Sequence, residues 1–371
     1  MAISDKAPSS APSHHRAWRL HAPGDLRYDE VPTPAPAADG VVVAVEAAMV
    51  LSYTDKVLSG AVPYGLPPVP FVPGTNAIAR VIATGRDVGH VAVGDRVFLS
   101  PHLRADTPDR EPAQILIGLT RMGDTPATHA LQRRWGDGVF AQIAHWPAAC
   151  ATPLRGLDDR PATELLGLAK LVVPFGGLQR MHLGGGQTVI VNGATGYFGS
   201  GAVMLAVAMG AARVVAVGRN AAALDTLRAT FGPRVVPAVV GGTNAAADLD
   251  VIRTAAGGAA DAALDLLGSA RSTSTTLSTL RALKRGGRLV IMGSAEVPLE
   301  ISFRELLAND WEIVGQFMYA RTAPADLAAL AAAGLLDLGR IAVRRFALDQ
   351  LPAAIAAAAT MQGLDLTAIV P

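Results

Sequence analysis

A glycine-rich turn between a buried strand and an apolar helix restricts the possible folds of this chain more than any other segment. The run TVIVN at 188–192 is mostly β-branched and apolar, as in a strand covered on both faces of a parallel sheet. The following turn places Ala194, Gly196 and Gly199 at the spacing of a dinucleotide-binding fingerprint, with alanine at its first position. In such a turn the second position lets the backbone approach a pyrophosphate, and the third lets the helix pack closely on the strand.

Strand and helix patterns alternate from about residue 160 onward. Strand-like runs at 213–218 (RVVAVG), 260–266 (ADAALDL) and 287–293 (GRLVIMG) are separated by helical patterns. This alternation predicts a parallel sheet with right-handed crossovers. The run EIVGQFMY at 312–319 is a further strand candidate.

The first third of the chain has a different, β-rich pattern. β-branched runs lie at 41–51, 77–85 and 91–99, each bounded by Gly, Pro or Asp. Between them, the segment 63–73 contains many prolines and is predicted to be a loop. Because a chain of 371 residues is too long for one compact core, we predict two domains, one β-rich and one α/β with a doubly wound parallel sheet.

The charge pattern argues against several classes of partner. The 32 basic and 31 acidic residues give a net charge of +1 and form no block of like charge, so we expect neither a nucleic-acid-binding nor a membrane-binding surface. The single cysteine, Cys150, excludes an intramolecular disulfide and a multi-cysteine metal site within the chain.

The N-terminal residues 1–15 are rich in Pro, Ser and Ala and are predicted to be a disordered tail. They lack the apolar core of a signal peptide. The longest apolar runs, such as 327–336, are too short to span a bilayer. We therefore expect a cytoplasmic protein.

The end of the second predicted strand indicates which dinucleotide is bound. That strand is followed by Arg219 and Asn220 and by no carboxylate. An enzyme that uses NAD usually carries Asp or Glu here for the ribose hydroxyls, whereas arginine suits the 2′-phosphate of NADP. We therefore predict NADPH (NADP+) as the cofactor. The residues predicted to bind it are Asn192, Ala194, Thr195, Gly196, Tyr197, Phe198, Gly199, Gly218, Arg219, Gly268 and Gly293.

Motifs in a fixed order over residues 16–371 extend this prediction to a family. They are SYTDK (52–56), the glycine-containing segment from PFVPG to GDRV (70–97), WGDGVFAQ (135–142), the glycine turn, and LRALKRGGRLVIMG (280–293). In this order and spacing, the chain resembles the medium-chain dehydrogenase/reductase superfamily. The branch to which it is most similar is the zinc-free one, which contains the quinone oxidoreductases and enoyl reductases.

The resemblance implies a specific domain arrangement. A GroES-like catalytic domain would comprise residues 16–155 and 320–371, and a Rossmann dinucleotide-binding domain would comprise residues 156–319. Substrate would bind in a cleft between them, next to the nicotinamide. The resemblance also implies a homodimer that pairs through an edge strand near Glu312–Tyr319.

The residues at the family's zinc positions differ from those of zinc-dependent members. The chain has Ser52 and Thr75 where those members have cysteine and histidine, and Asn76 in place of glutamate. Zinc prefers thiolate, imidazole or carboxylate ligands, and a hydroxyl is not a usual ligand. We therefore predict no catalytic metal.

Without a metal, hydrogen-bond donors must stabilise the charge that develops on the substrate oxygen. The resemblance places Thr54 at the position of a proton-relaying hydroxyl and Tyr64 at that of a tyrosine of enoyl reductases. Lys56 follows Tyr53 at a spacing that shares a helix face, and a nearby ammonium would lower the pKa of a tyrosine. The candidate catalytic residues are Ser52, Tyr53, Thr54, Tyr64 and Asn76.

The predicted function is NADPH-dependent, zinc-free hydride transfer to a quinone or an α,β-unsaturated carbonyl compound. Two alternatives stay open. One is an NADP(H)-dependent alcohol or ketone dehydrogenase without zinc, with Tyr53 or Thr54 as proton donor. The other is an NADPH-binding protein with little catalytic activity.

Overall fold

The chain is described by a computed structural model that covers residues 12–268 and 270–371. It divides into two compact units. Unit 1 comprises Met1–Leu166, Arg344–Thr360 and Thr367–Pro371, and unit 2 comprises Gly167–Val343 and Met361–Leu366. The domain boundaries expected from the sequence remain a prediction. Residues 1–11 of the predicted tail (1–15) lie outside the described part of the chain. The first strand begins at His14, so the prediction of a disordered tail is wrong for residues 14 and 15.

The strands are numbered in chain order. Those of the N-terminal part are β1 (His14–Ala22), β2 (Asp25–Pro32), β3 (Gly40–Val50), β4 (Ala77–Thr84), β5 (Arg96–Leu99), β6 (His102–Arg104), β7 (Gln114–Leu116), β8 (Thr120–Met122), β9 (Ile143–Pro147) and β10 (Ala151–Pro153). The others are β11 (Thr188–Asn192), β12 (Arg213–Gly218), β13 (Val235–Val239), β14 (Ala260–Asp265), β15 (Leu283–Ile291), β16 (Glu312–Gly315), β17 (Ala342–Ala347) and β18 (Asp365–Val370).

The α-helices are numbered in the same way. They are α1 (Thr54–Leu58), α2 (Pro126–Arg134), α3 (Ala162–Leu165), α4 (Gly167–Arg180), α5 (Tyr197–Ala208), α6 (Ala221–Phe231), α7 (Ala245–Ala256), α8 (Ser274–Arg281), α9 (Phe303–Ala308), α10 (Ala323–Ala332) and α11 (Leu351–Ala358). Within the described residues, no helix has both the length and the apolar character needed to cross a bilayer.

Unit 1 is built around β3. This strand pairs antiparallel with β4, β9 and β18, within a sheet of order β10-β5-β4-β3-β18-β17. Its run of valines is almost wholly buried, which is why the sequence reads as a continuous apolar segment. The predicted strand 91–99 is shortened to β5, because Gly94 adopts φ 97° and Asp95 accepts a hydrogen bond from the backbone N–H of Ala92 (2.9 Å), which makes a turn.

Unit 2 contains the predicted parallel sheet. Its strand order is β13-β12-β11-β14-β15-β16, and the described neighbours pair in parallel. This is the doubly wound order in which nucleotides bind at the carboxyl ends of the strands, where the order reverses. The predicted combination of a β-rich domain and an α/β domain with a doubly wound parallel sheet is confirmed by this topology. The strand predicted at 312–319 is shorter, and β16 ends at Gly315.

Candidate functional site

The glycine turn joins β11 to α5 and is fixed to the neighbouring strand. The backbone N–H groups of Gly193 and Ala194 both donate to the carbonyl oxygen of Val217, at 3.1 and 2.9 Å. Gly193 has φ 82°, a left-handed conformation that strongly favours glycine. Gly193 directly precedes the predicted fingerprint and was not among the predicted cofactor residues.

The third glycine of the turn has no room for a side chain. A Cβ atom on Gly199 would collide with the carbonyl oxygen of Gly193 and with Cα of Ala194. Gly196 is the N-cap residue of α5, so the backbone N–H groups of the first helical turn are directed toward the turn region. The residues present therefore fit a pyrophosphate at this helix N-terminus.

A cavity of about 540 Å³ opens beside this turn, entirely within unit 2. Six of the predicted cofactor residues line it: Asn192, Thr195, Gly196, Gly218, Arg219 and Gly268. The other five are not among its lining residues: Ala194, Tyr197, Phe198, Gly199 and Gly293. They lie in the turn, in the first helical turn of α5 and after β15. A Cβ on Gly293 would collide with the backbone of Leu267, so this glycine supports the wall of the cavity.

Several lining residues were not predicted from the sequence. They are Gly241, Gly242 and Thr243 after β13, and Arg271, Ser272 and Thr275 before and within α8. The signal that could have found them is topological, because loops at the carboxyl ends of parallel strands share one edge of the sheet. The buried carboxylate of Asp248 accepts hydrogen bonds from the N–H groups of Gly241 and Gly242 (both 2.9 Å), which fixes that loop.

A second buried carboxylate connects the strands at this edge. Asp265 accepts hydrogen bonds from Nδ2 of Asn192 (2.8 Å), from Oγ1 of Thr276 (2.7 Å) and from the N–H of Leu267 (3.0 Å). Burial raises the pKa of Asp265, and the three hydrogen bonds oppose this effect. The side chain of Asn192 therefore supports the shape of the site by holding β11 to β14.

The charged residues that line the described part of the cavity are both arginines. Arg219 and Arg271 are exposed, and none of the described lining residues is Asp or Glu. Asn220 is engaged elsewhere, because its side chain accepts a hydrogen bond from the N–H of Ala223 (3.1 Å) and caps α6. The charged side chains that line the cavity are therefore positive and suit an anionic ligand, while the carboxylates of Asp248 and Asp265 lie behind the lining and accept hydrogen bonds from it.

Two of the candidate catalytic residues, Tyr53 and Tyr64, meet in unit 1. Their rings pack edge to face with centroids 6.4 Å apart. Burial raises the pKa of Tyr53, and the charge and hydrogen bonding of Tyr64 raise it further. The expectation that Lys56 lowers this pKa is wrong, because Lys56 is exposed and is not among the groups that shift it.

The other three candidates are Ser52, Thr54 and Asn76, in the same part of the chain. Ser52 is half-buried in the turn before α1. The hydroxyl of Thr54 donates to the carbonyl oxygen of Leu51 (2.9 Å). Nδ2 of the buried Asn76 donates to the carbonyl oxygen of Leu99 in β5 (3.3 Å). The side chains of Thr54 and Asn76 thus each donate one hydrogen bond to a backbone carbonyl oxygen.

A hydroxyl that was not a catalytic candidate stands out in the same region. Thr75 is buried, and its Oγ1 has no hydrogen-bond partner among the described residues. It lines a small cavity of unit 1 together with Thr54, Met49, Leu119 and Phe140. An unpaired buried hydroxyl costs about 1–3 kcal/mol. The cavity beside it measures about 10 Å³, which is room for a single oxygen atom from a water molecule or a ligand.

The residues around Ser52 and Thr75 do not fit a zinc ion. Among residues 12–268 and 270–371, no group of three or more His, Cys, Asp or Glu side chains is arranged to hold a metal. Cys150 is buried, and its Sγ lies 3.5 Å from the carbonyl oxygen of His102.

Comparisons with known proteins agree with this architecture. The alcohol dehydrogenase GroES-like domain matches residues 37–156, and the zinc-binding dehydrogenase family matches residues 198–333. Together these matches cover more than half of the chain.

Similar individual proteins span nearly the whole chain. The sorbitol dehydrogenase of Bacillus subtilis is 24% identical over 351 residues, which is 92% of both chains. The structure of a zinc-binding dehydrogenase from Sinorhizobium meliloti 1021 bound to NADP has a TM-score of 0.74 at 22% identity, covering 97% of this chain and 100% of the other. An alcohol dehydrogenase of Escherichia coli CFT073 complexed with NADH has a TM-score of 0.77 at 18% identity, covering 97% and 100%.

These matches and the two-unit architecture lead to one assignment. The chain belongs to the medium-chain dehydrogenase/reductase superfamily and is an oxidoreductase whose relatives are of the alcohol dehydrogenase type.

Proposed function

We propose that the protein is an NADPH-dependent oxidoreductase that works without zinc and transfers hydride to a quinone or an α,β-unsaturated carbonyl compound. The observation that carries the cofactor part is the cavity at the carboxyl ends of β11 to β14, whose charged lining side chains are Arg219 and Arg271. NADPH, when bound, supplies the hydride. The roles proposed below belong to the residues of the chain.

The choice of NADPH over NADH rests on Arg219 and Arg271. A 2′-phosphate adds about −1.5 to −2 charge at neutral pH, and arginine binds such a group through several N–H donors. The cavity offers both guanidinium groups and no described carboxylate that would accept the ribose 2′-hydroxyl of NADH. Related structures bind NADP in one case and NADH in another, so the family alone does not decide between the two cofactors.

The proposal that zinc is not used rests on residue chemistry. Ser52 and Thr75 present hydroxyls where a zinc site would need thiolate, imidazole or carboxylate. No described cluster of suitable side chains replaces them. Side-chain donors must then carry the electrostatic stabilisation.

We propose that the hydroxyl of Thr75 donates a hydrogen bond to the substrate oxygen. This hydroxyl is buried and has no described hydrogen-bond partner. Tyr53, Tyr64, Ser52, Thr54 and Asn76 remain the candidates for proton supply and for shaping the site. A threonine hydroxyl is a weak acid, and the raised pKa of Tyr53 makes its phenol a weaker one as well. Weak acids suit an enolate-like product, whose charge is spread over several atoms, better than a localised alkoxide.

The names of the relatives favour a second candidate function, an alcohol or ketone dehydrogenase. The proposal that this enzyme would work without zinc rests on Ser52 and Thr75, not on the relatives, which match a zinc-binding dehydrogenase family. Several of them are named for alcohols or polyols, including the sorbitol dehydrogenase described above. In this reading Tyr53 or Thr54 donates the proton to a carbonyl oxygen.

A substrate panel distinguishes these functions. Purified protein is mixed with NADPH and with an enone, a quinone or a saturated cyclic ketone, and NADPH oxidation is followed. We expect turnover of the enone or the quinone. Turnover of the ketone alone would transfer the assignment to the second function, and tight NADPH binding without any oxidation would indicate a nucleotide-binding protein without catalysis.

We also propose a homodimer that forms through unit 2. Strand β16 is the last in its sheet, and the preceding helix α9 exposes Phe303 (93%) and Leu307 (77%). An unpaired strand edge beside exposed large apolar side chains is typical of an association surface. A second copy of the chain fits this surface because two identical edges can pair about a two-fold axis.

A further inference from the structure

Lys170 is an unusual residue in the interior of unit 2. It lies in α4 and is fully buried, with 0% exposure. A lysine is rarely buried completely unless its charge is paired. Among the described residues the Lys170 amine contacts carbonyl oxygens, and its nearby carboxylate, that of Asp365, makes no close ion pair with it. Its position therefore calls for an explanation other than ordinary packing.

The amine of Lys170 contacts the residue that begins the nucleotide-binding helix. Nζ donates to the carbonyl oxygen of Tyr197 (2.7 Å) and, at 3.4 Å, to the carbonyl oxygen of Asp365. Nζ also lies 3.3 Å from the centroid of the Tyr197 ring. One cation thus holds both the backbone and the ring of this single tyrosine.

Tyr197 is the residue directly after Gly196, the N-cap of α5. Its position is further fixed by Ser200, whose Oγ lies 3.2 Å from the carbonyl oxygen of Tyr197 and 2.6 Å from that of Gly363. The Lys170 amine therefore contacts the first residue of α5, at the helix N-terminus where we place the pyrophosphate. A positive charge there adds to the helix dipole in attracting an anion.

We propose that Lys170 is a positioning residue for the nucleotide: it fixes Tyr197 at the start of α5, and its charge strengthens pyrophosphate binding. This inference rests on the proposed nucleotide site. It implies that affinity falls when the amine loses its proton.

The amine can change its charge near neutral pH. Burial lowers the pKa of Lys170 to about 7, and the nearby Asp365 carboxylate opposes this effect. The other ionisable groups near the amine are few, and they have hydrogen-bond partners of their own. Asp365 accepts a hydrogen bond from the N–H of Gln362 (3.1 Å), and α5 has no ionisable residue besides Tyr197.

Charges on the other elements packed against α4 are engaged elsewhere. Asp326 of α10 accepts from Gln179, and Arg288 of β15 pairs with Glu312. By sequence, His182 is the single histidine between residues 146 and 371. The comparison with Lys170→Met therefore assigns a change in nucleotide affinity near pH 7 to Lys170 and separates it from His182.

The test measures Kd for NADH between about pH 6 and about pH 9, a range that brackets the shifted pKa. NADH is used because it lacks the 2′-phosphate, which itself titrates near about pH 6. For the wild type we expect Kd to rise about tenfold as pH increases through 7, since a buried charge acts over several ångströms. Lys170→Met should bind with a weak, pH-independent Kd, and Lys170→Arg should restore binding that stays tight at high pH.

Lys284→Met is the matched control, because Lys284 is largely exposed and pairs with Asp261. It should keep the wild-type pH dependence. Retained pH dependence in Lys170→Met, or its absence in the wild type, would overturn the inference while leaving the proposed function intact. Failure of the wild type to bind either NADH or NADPH would overturn both.

Discussion

At the scale of single residues, the site depends on polar groups in unusual surroundings. Thr75 has a buried hydroxyl without a described partner, and Lys170 is a fully buried amine that makes no close ion pair, although the Asp365 carboxylate lies nearby. Both reduce the stability of the fold. Such costs are often retained where they serve function.

Replacing Thr75 by valine separates stability from function. Thr75→Val keeps the shape of the side chain and removes the unpaired hydroxyl, so the free energy of unfolding should increase by about 1 kcal/mol. Turnover should fall by about 100-fold, because the proposed donor to the substrate oxygen is lost.

Thr75→Ser, which keeps a hydroxyl, is the control for this change and should retain most of the activity. The two measurements are denaturant unfolding and steady-state kinetics with the substrate identified in the panel. Unchanged kcat/KM in Thr75→Val would refute the role of this hydroxyl.

The pKa of Lys170 also predicts how stability depends on pH. The folded-state pKa of about 7 is below the ordinary value of 10.5, so the unfolded chain binds more protons between these two values. The free energy of unfolding should therefore rise with pH above about 7, by at most about 1.4 kcal/mol per pH unit. Below pH 7 the full cost of burying the charge is present.

Lys170→Met removes this contribution. In urea titrations across the same range, this variant should be more stable than the wild type at pH 6, and the difference should shrink as pH rises toward 10. A difference that is independent of pH would show that the amine does not titrate in the folded protein.

Which site residues could be predicted from the sequence depended on local spacing. Gly196, Gly218 and Arg219 follow from the order of strand, turn and helix. Arg271 and Thr75 do not, because their roles depend on where distant segments meet and on whether a hydroxyl finds a partner in the folded chain.

At the scale of elements, the alternation of strand and helix patterns was sufficient to predict the parallel sheet. The ends of the strands were predicted less accurately. The run at 312–319 is strand-like, but only Glu312–Gly315 pairs with β15. The next residues include Met318 at φ 50°, a conformation that no strand contains. Apolar composition alone could not reveal this break.

The turn between β11 and α5 gives a prediction about a whole element. Gly199→Ala should force α5 away from the turn, because the new Cβ has no space beside Gly193. We expect at least about a tenfold loss of nucleotide affinity, together with a lower Tm.

Gly89→Ala is the control for this substitution, since a Cβ there would meet no atom within 4 Å. It should leave both quantities unchanged. Fluorescence titration with NADPH and thermal unfolding make the comparison. Wild-type affinity in Gly199→Ala would contradict the proposed close approach of helix and turn.

At the scale of the whole molecule, the two-unit architecture and the family are shown, whereas the domain boundaries and the cytoplasmic location remain predictions. The described residues contain no helix suited to crossing a membrane. The exposed apolar residues on the surface of unit 2 also predict that two copies of the chain associate.

The double substitution Phe303→Asp and Leu307→Asp should convert the proposed dimer into a monomer, because it places charges on the exposed apolar face of α9. Leu335→Asp is the control, as Leu335 is also exposed (59%) but lies after α10. Analytical ultracentrifugation gives the mass. A wild-type monomer, or a double variant that stays dimeric, would refute this interface.

The most direct test of the central claim is a calorimetric titration of the purified protein with NADPH and with NADH, repeated with Arg219→Ala. The account predicts that the wild type binds NADPH more tightly than NADH. It also predicts that the substitution weakens NADPH binding by about 10–100-fold, the equivalent of a charge-assisted hydrogen bond of about 1.5–3 kcal/mol. The affinity for NADH should change little. Equal weakening of both cofactors would contradict the assignment of the 2′-phosphate to Arg219, and absence of binding to both would contradict the nucleotide site itself.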